Sequence, residues 1–111
     1  MNKEKNFSSN YQNQIKSKIE VVENLYKQKL MVNPDDFESI FNLSTLFLQT
    51  ERFDLAKSLL NRGIKIRPNH AGSYNNLGTA LMKLGESEKA MNYFQKAIQI
   101  NPNFAFAYYN L

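Results

Sequence analysis

The sequence predicts an all-α solenoid of antiparallel helix pairs, and three observations predict it. Pro34, Pro68 and Pro102 are each 34 residues apart. Within that interval, residues of one face recur at three- and four-residue spacing, first as Tyr74, Leu77, Gly78, Leu81 and Leu84, then as Ala90, Phe94, Ala97 and Ile98. Shifting the window back by one period lays Leu43 on Leu77, Ser44 on Gly78, Phe47 on Leu81, Ala56 on Ala90, Leu60 on Phe94 and Ile64 on Ile98. A fixed period of this size marks stacked helical units, none of which can hide its apolar stripe alone.

Taken in order, residues 1–14 are rich in Asn, Gln, Ser and Lys, with only Phe7 and Tyr11 as large apolar groups. Such a segment buries too little surface to offset its ordering entropy, which predicts a flexible polar N-terminal segment. Residues 15–36 form a degenerate half repeat, a second helix only, on the period Ile15, Ile19, Val22, Leu25, Tyr26 and Leu30. Val22 takes the phase of Ala56 there, and Tyr26 that of Leu60.

Residues 37–70 form the first complete repeat. Its Gly63, inside a helix, costs about 1 kcal/mol relative to alanine, and close helix approach is the expected compensation. Residues 71–104 form the second, with Gly85 just past the end of its first helix and Ser87 as an expected N-cap. Residues 105–111 begin the first helix of a further repeat, Tyr108 repeating Tyr74 and Leu111 repeating Leu77. Their open apolar edge predicts self-association.

These residues resemble a known family, the tetratricopeptide repeat (TPR). That family's pattern of large residue, Leu-Gly, small Ala, aromatic, Ala and Pro is met by Tyr74, Leu77, Gly78, Ala90, Phe94, Ala97 and Pro102. The resemblance implies a TPR-type solenoid whose first helices line a concave groove, and a non-catalytic scaffold that binds a protein or an extended peptide. It also leaves open a substrate-selecting arm of a larger enzyme, such as a glycosyltransferase, or a self-assembling structural module.

Composition agrees with binding and against chemistry. The chain has 111 residues, no cysteine and one histidine, His70, in an inter-repeat turn where a structural role is expected. No acidic or histidine set has metal-ligand spacing, and no glycine-rich phosphate cradle follows a strand, so neither catalysis nor a cofactor is expected. The net charge of +4 is concentrated near the N-terminus, with six lysines against three glutamates in residues 1–30. The repeats are nearly neutral, so no nucleic-acid stripe is expected. Neither a secretory leader nor an apolar run of membrane-spanning length is present, which gives a cytoplasmic expectation and no membrane partner.

Binding must then come from a surface. On a helical wheel of residues 71–84, Gly72, Asn75, Asn76, Thr79 and Lys83 lie opposite the inward arc, with Met82 at its border. One period earlier this arc holds Glu38, Phe41, Asn42, Thr45 and Gln49; one period later it holds Phe106, Tyr109 and Asn110. Asparagine recurs as Asn42, Asn76 and Asn110, and a side-chain amide offers a donor and an acceptor to a peptide backbone. The resemblance points the same way, since some superhelical members hold a peptide's main chain with an asparagine ladder; the alternative is a local structural role. Phe41, Met82 and Tyr109 are the expected apolar contacts. A carboxylate-clamping groove is not expected: of the sites that the family's clamp uses, Phe41, Thr45, Phe106 and Asn110 lack its residues, and only Asn76 fits.

Overall fold

The computed structural model describes residues 2–103, with side chains from Ser9 onwards, as five helices: α1 (Asn2–Val32), α2 (Phe37–Gln49), α3 (Phe53–Ile66), α4 (Ala71–Lys83) and α5 (Ser87–Ile100). Each packs on the next in the order α1–α2–α3–α4–α5, and α2 also meets α4. Sequential stacking gives an elongated body of 53 × 35 × 24 Å. The expected restart at residues 105–111, with Tyr109 and Asn110, lies outside the described residues.

The apolar face of each helix is buried as its spacing predicts. Ile40, Leu43 and Phe47 of α2 join Ala56, Leu59 and Leu60 of α3, then Leu77, Ala80 and Leu81 of α4, with Ala90 and Phe94 of α5 completing one continuous core. Tyr74 and Ala97 form a second cluster beside it. The tightest crossing is between α4 and α5. A Cβ added at Gly78 would lie 2.5 Å from Cε1 of Phe94, so only glycine fits there. Gly63 is different: an added Cβ would meet Ile40 at 3.4 Å and Phe37 at 3.5 Å, ordinary contact distances. Close approach therefore does not require glycine at 63.

Both hairpin turns close identically. Arg52 N–H donates to the Phe47 carbonyl and Glu51 N–H to that of Leu48, while Glu86 N–H donates to Leu81 and Gly85 N–H to Met82. This paired pattern needs a left-handed residue just past the helix. Gly85 supplies it at φ 83° and Glu51 at φ 60°, so the turn without glycine adopts the glycine conformation. Ser87 does not cap α5. The N-cap is Glu86, which makes no side-chain cap bond, and Ser87 is already the first helical residue.

α1 differs most from expectation. Residues 2–14, for which composition predicts a flexible polar segment, continue the helix without a break. A helix satisfies its backbone hydrogen bonds internally, whatever its side chains, and every side chain from Ser9 to Lys18 is exposed. Only Ile19, Glu23, Tyr26 and Leu30, spaced four, three and four residues apart, turn partly inward toward the repeats. Glu23 ties α1 to the α2–α3 turn through Arg52 at 2.6 Å, and within α1 it also pairs with Lys27 at 2.6 Å. Hydrogen bonds from those two cations hold its carboxyl down at about 2.

Candidate functional site

α2 and α4 are the first helices of successive repeats, and they lie side by side. Between them, and under the α3–α4 turn, runs a groove of about 900 Å³. From α2 it is lined by Phe41, Thr45 and Gln49, one residue per turn at a spacing of four. From α4 come Ala71, Gly72, Asn75 and Asn76, with Asn69 and His70 from the turn and Ile100 and Asn101 from the end of α5.

The lining is built by local hydrogen bonding. His70 is the N-cap of α4, its Nδ1 accepting from the Ser73 N–H at 3.1 Å, which leaves the proton of the neutral ring on Nε2. Burial, with Arg67 nearby, lowers its pKa and favours that neutral form. The ring stands edge-on to Phe37 and Phe41, each with centroids 4.8 Å away. It thereby fixes Phe41 at the groove floor. Thr45 donates its hydroxyl to the Phe41 carbonyl at 3.0 Å. Gly72 leaves room at the rim, since a Cβ there would lie 3.0 Å from the His70 ring.

Among the described residues the groove lining contains five side-chain amides, an aromatic ring and an isoleucine, but no acidic or permanently charged side chain. Its chemistry is that of neutral hydrogen bonding around apolar surface. It can pair with peptide groups, and its described residues offer no counter-ion to a carboxylate.

Of the residues singled out by sequence, Phe41, Thr45, Asn75 and Asn76 meet in this groove. Asn75 is buried and Asn76 half-buried. Thr79 is half-buried behind it, with its hydroxyl on the Asn75 carbonyl at 3.1 Å. Met82, Lys83 and Asn42 are exposed and stand outside the lining. Asn42 holds on α2 the position of Asn76 on α4, which faces the preceding first helix; no described helix stands there for Asn42. Tyr109 and Asn110 lie outside the described residues. Sequence reasoning missed His70, Asn69, Ile100 and Asn101. A signal for His70 was present: His70 and Ser73 repeat the spacing of Asp36 and Ser39, the pair that opens α2 with a 2.7 Å hydrogen bond.

Among the described residues no helix is long and apolar enough to cross a membrane, and no three His, Cys, Asp or Glu side chains cluster as metal ligands. No curated protein sequence matches the chain.

Solved structures do match. The chain is similar to MamA, with TM-score 0.80 and 25% identity over 90% of this chain and 55% of that one. It is similar in fold to the first TPR domain of Spaghetti (RPAP3) bound to an HSP90 peptide, with TM-score 0.81 and 18% identity over 91% and 80% of the two chains. A mutant O-GlcNAc transferase from Thermobaculum terrenum gives TM-score 0.77 and 25% identity over 87% of this chain and 19% of that one. The chain thus spans about half of MamA and a fifth of the transferase. Models of the tetratricopeptide repeat match residues 37–70 and 71–104, together more than half of the sequence, and the chain belongs to that family.

Proposed function

We propose that the chain is a non-catalytic scaffold that holds an extended segment of a partner protein in the α2–α4 groove. The observation that carries this reading is the lining itself: Gln49, Asn75 and Asn76 beside Phe41, with no charged group among them. Amides recognise a main chain, and the aromatic floor takes an apolar side chain. The peptide-bound Spaghetti domain, similar in fold, supports a peptide as the class of ligand.

Each hydrogen bond contributes about 0.5–1.5 kcal/mol net, against about 8 kcal/mol for micromolar binding. Apolar contact with Phe41 and Ile100 must therefore supply a large share. Asn76→Ala should weaken a peptide selected from a random library by about threefold to tenfold, the equivalent of one such bond. Isothermal titration of wild type and variant tests it, with thermal melts as the stability control. Unchanged affinity in a folded variant would remove Asn76 from the site.

The likeness to the O-GlcNAc transferase supports a second reading, in which the repeats select substrate for a larger enzyme. A coding sequence that continues from residue 111 into a catalytic domain would favour it.

A further inference from the structure

A second groove, of about 540 Å³, lies between α1 and α3 and runs over Leu43 and Phe47 of α2. One period on, between α3 and α5 and over Leu77 and Leu81 of α4, lies a smaller one of about 360 Å³. The two share a register but not a chemistry. Leu55 lines the first where Lys89 lines the second, and Leu59 stands where Tyr93 does. Met31, also in the first lining, holds the register of Lys65. Lys65 and Lys89 are exposed, as charged side chains on a helix surface normally are. At Met31 and Leu55 the same positions are apolar, yet they are 83% and 49% exposed. Apolar groups left in water where the next repeat keeps lysine mark a surface for a partner.

Two features of the lining define that partner. The first is the scarcity of groups for a peptide backbone. The α2–α4 groove offers five amides, whereas Ser58 is the one neutral hydrogen-bonding side chain in the described α1–α3 lining. An extended main chain laid there would leave N–H and C=O groups unpaired, but a helix satisfies its own. The second feature is charge. Lys27 on α1 and Arg62 on α3 flank the apolar floor, and no described lining residue is acidic. Lys27 shares the Glu23 carboxylate with Arg52, and Arg62 donates to the Pro34 carbonyl at 2.7 Å. Among the described residues, neither cation has a carboxylate to itself. α3 as a whole sets Lys57, Arg62 and Lys65 against Asp54 alone.

We propose that the α1–α3 groove docks an acidic amphipathic helix of a partner protein. The helix lays its apolar stripe on Met31, Leu55 and Leu59 and sets its carboxylates against Lys27 and Arg62. This site is separate from the groove that takes an extended segment. Phe41 and Thr45 stand two residues from Leu43 and Phe47, about 200° around α2, so the two grooves use opposite sides of that helix. Both can be filled at once.

The probe is a stapled synthetic helix of about four turns, with leucines at three- and four-residue spacing flanked by glutamates. Its control carries lysines in place of the glutamates. Fluorescence anisotropy with the full 111-residue chain should show saturable binding of the probe that weakens with added salt, and none of the control. Leu55→Gln, neutral and close in size, should weaken the probe by about fivefold to tenfold. Met31→Gln replaces it if Leu55→Gln lowers the melting temperature. Arg62→Gln should weaken the probe by about twofold to fivefold at low salt, the effect of one exposed ion pair. In amide-resolved NMR, the probe should shift residues 27–31 and 55–62. Absent or unsaturable binding overturns the proposal, as does equal binding of the control. So does undiminished affinity in the folded variants, or a set of shifts confined to the α2–α4 groove. Phosphatidylserine vesicles form the last arm: if they alone shift residues 27–31 and 55–62, the groove belongs to a lipid surface and the proposal fails.

Discussion

Residues 37–70 and 71–103 follow the same helix–turn–helix path, but different side chains make it possible. Where the second repeat sets Gly78 against Phe94, the first sets Ser44 in the same register as Leu60. Ser44 is fully buried and satisfies its hydroxyl by donating to the Phe41 carbonyl at 2.7 Å. The joints between units differ in sign. Glu23 and Arg52 pair across the α1 joint, while Lys57 and Glu86, one period on, pair across the next with the charges exchanged. The backbone thus depends on the summed size of a facing pair and on the presence of opposite charges, and on neither individual residue.

The largest test of this is at the crossing. Gly78→Ala should destabilise the chain by about 1–3 kcal/mol, because the new methyl overlaps the Phe94 ring. Adding Phe94→Leu, which copies the first repeat, should recover part of that loss in chemical denaturation. No recovery would mean that the two crossings are not equivalent.

The joints come next. Arg52→Glu should cost about 1–2 kcal/mol, since Glu23 is largely shielded from water. Glu23→Arg in the same chain should restore most of it, as the reversed pair at Lys57 and Glu86 already implies. The wild-type pair also sets an acid limit. The Glu23 carboxyl is lowered from 4.5 unfolded to about 2 folded. Its stabilisation is therefore complete above pH 4.5 and lost as pH falls toward 2, a loss that Glu23→Gln should abolish in melts at successive pH values.

The turns give a smaller effect. Glu51→Gly should stabilise by about 1 kcal/mol and Gly85→Ala destabilise by a similar amount, because both positions are left-handed. Smallest is Gly63→Ala, which copies Ala97 of the second repeat. It should add about 0.5–1 kcal/mol of helix propensity with no clash, and a lower melting temperature would contradict the contact distances.

The repeat period, the buried faces and the helix ends at each proline were legible because they follow from spacing and from the chemistry of single residues. The left-handed Glu51 was not, since the turn geometry imposed by both helices overrides the residue's own preference. The full length of α1 was hidden for a related reason: helical backbone bonds persist where side chains bury nothing. Half of the groove could be read from the wheel of one helix. His70, Ile100 and Asn101 could not, because they reach it from a turn and from another helix's end. Asn42 stands outside this lining because register fixes an arc on its own helix and says nothing about whether a neighbour stands opposite.

The one-after-another packing of the helices has a consequence for how the fold comes apart. With no central element that all others touch, each joint can open while the rest stay shut. α1, held from one side, is the first leaf to lift, and its loss exposes the face of α2 beneath it and frees Arg52 of the following turn. Unfolding then proceeds as unzipping from that end, one helix pair after another.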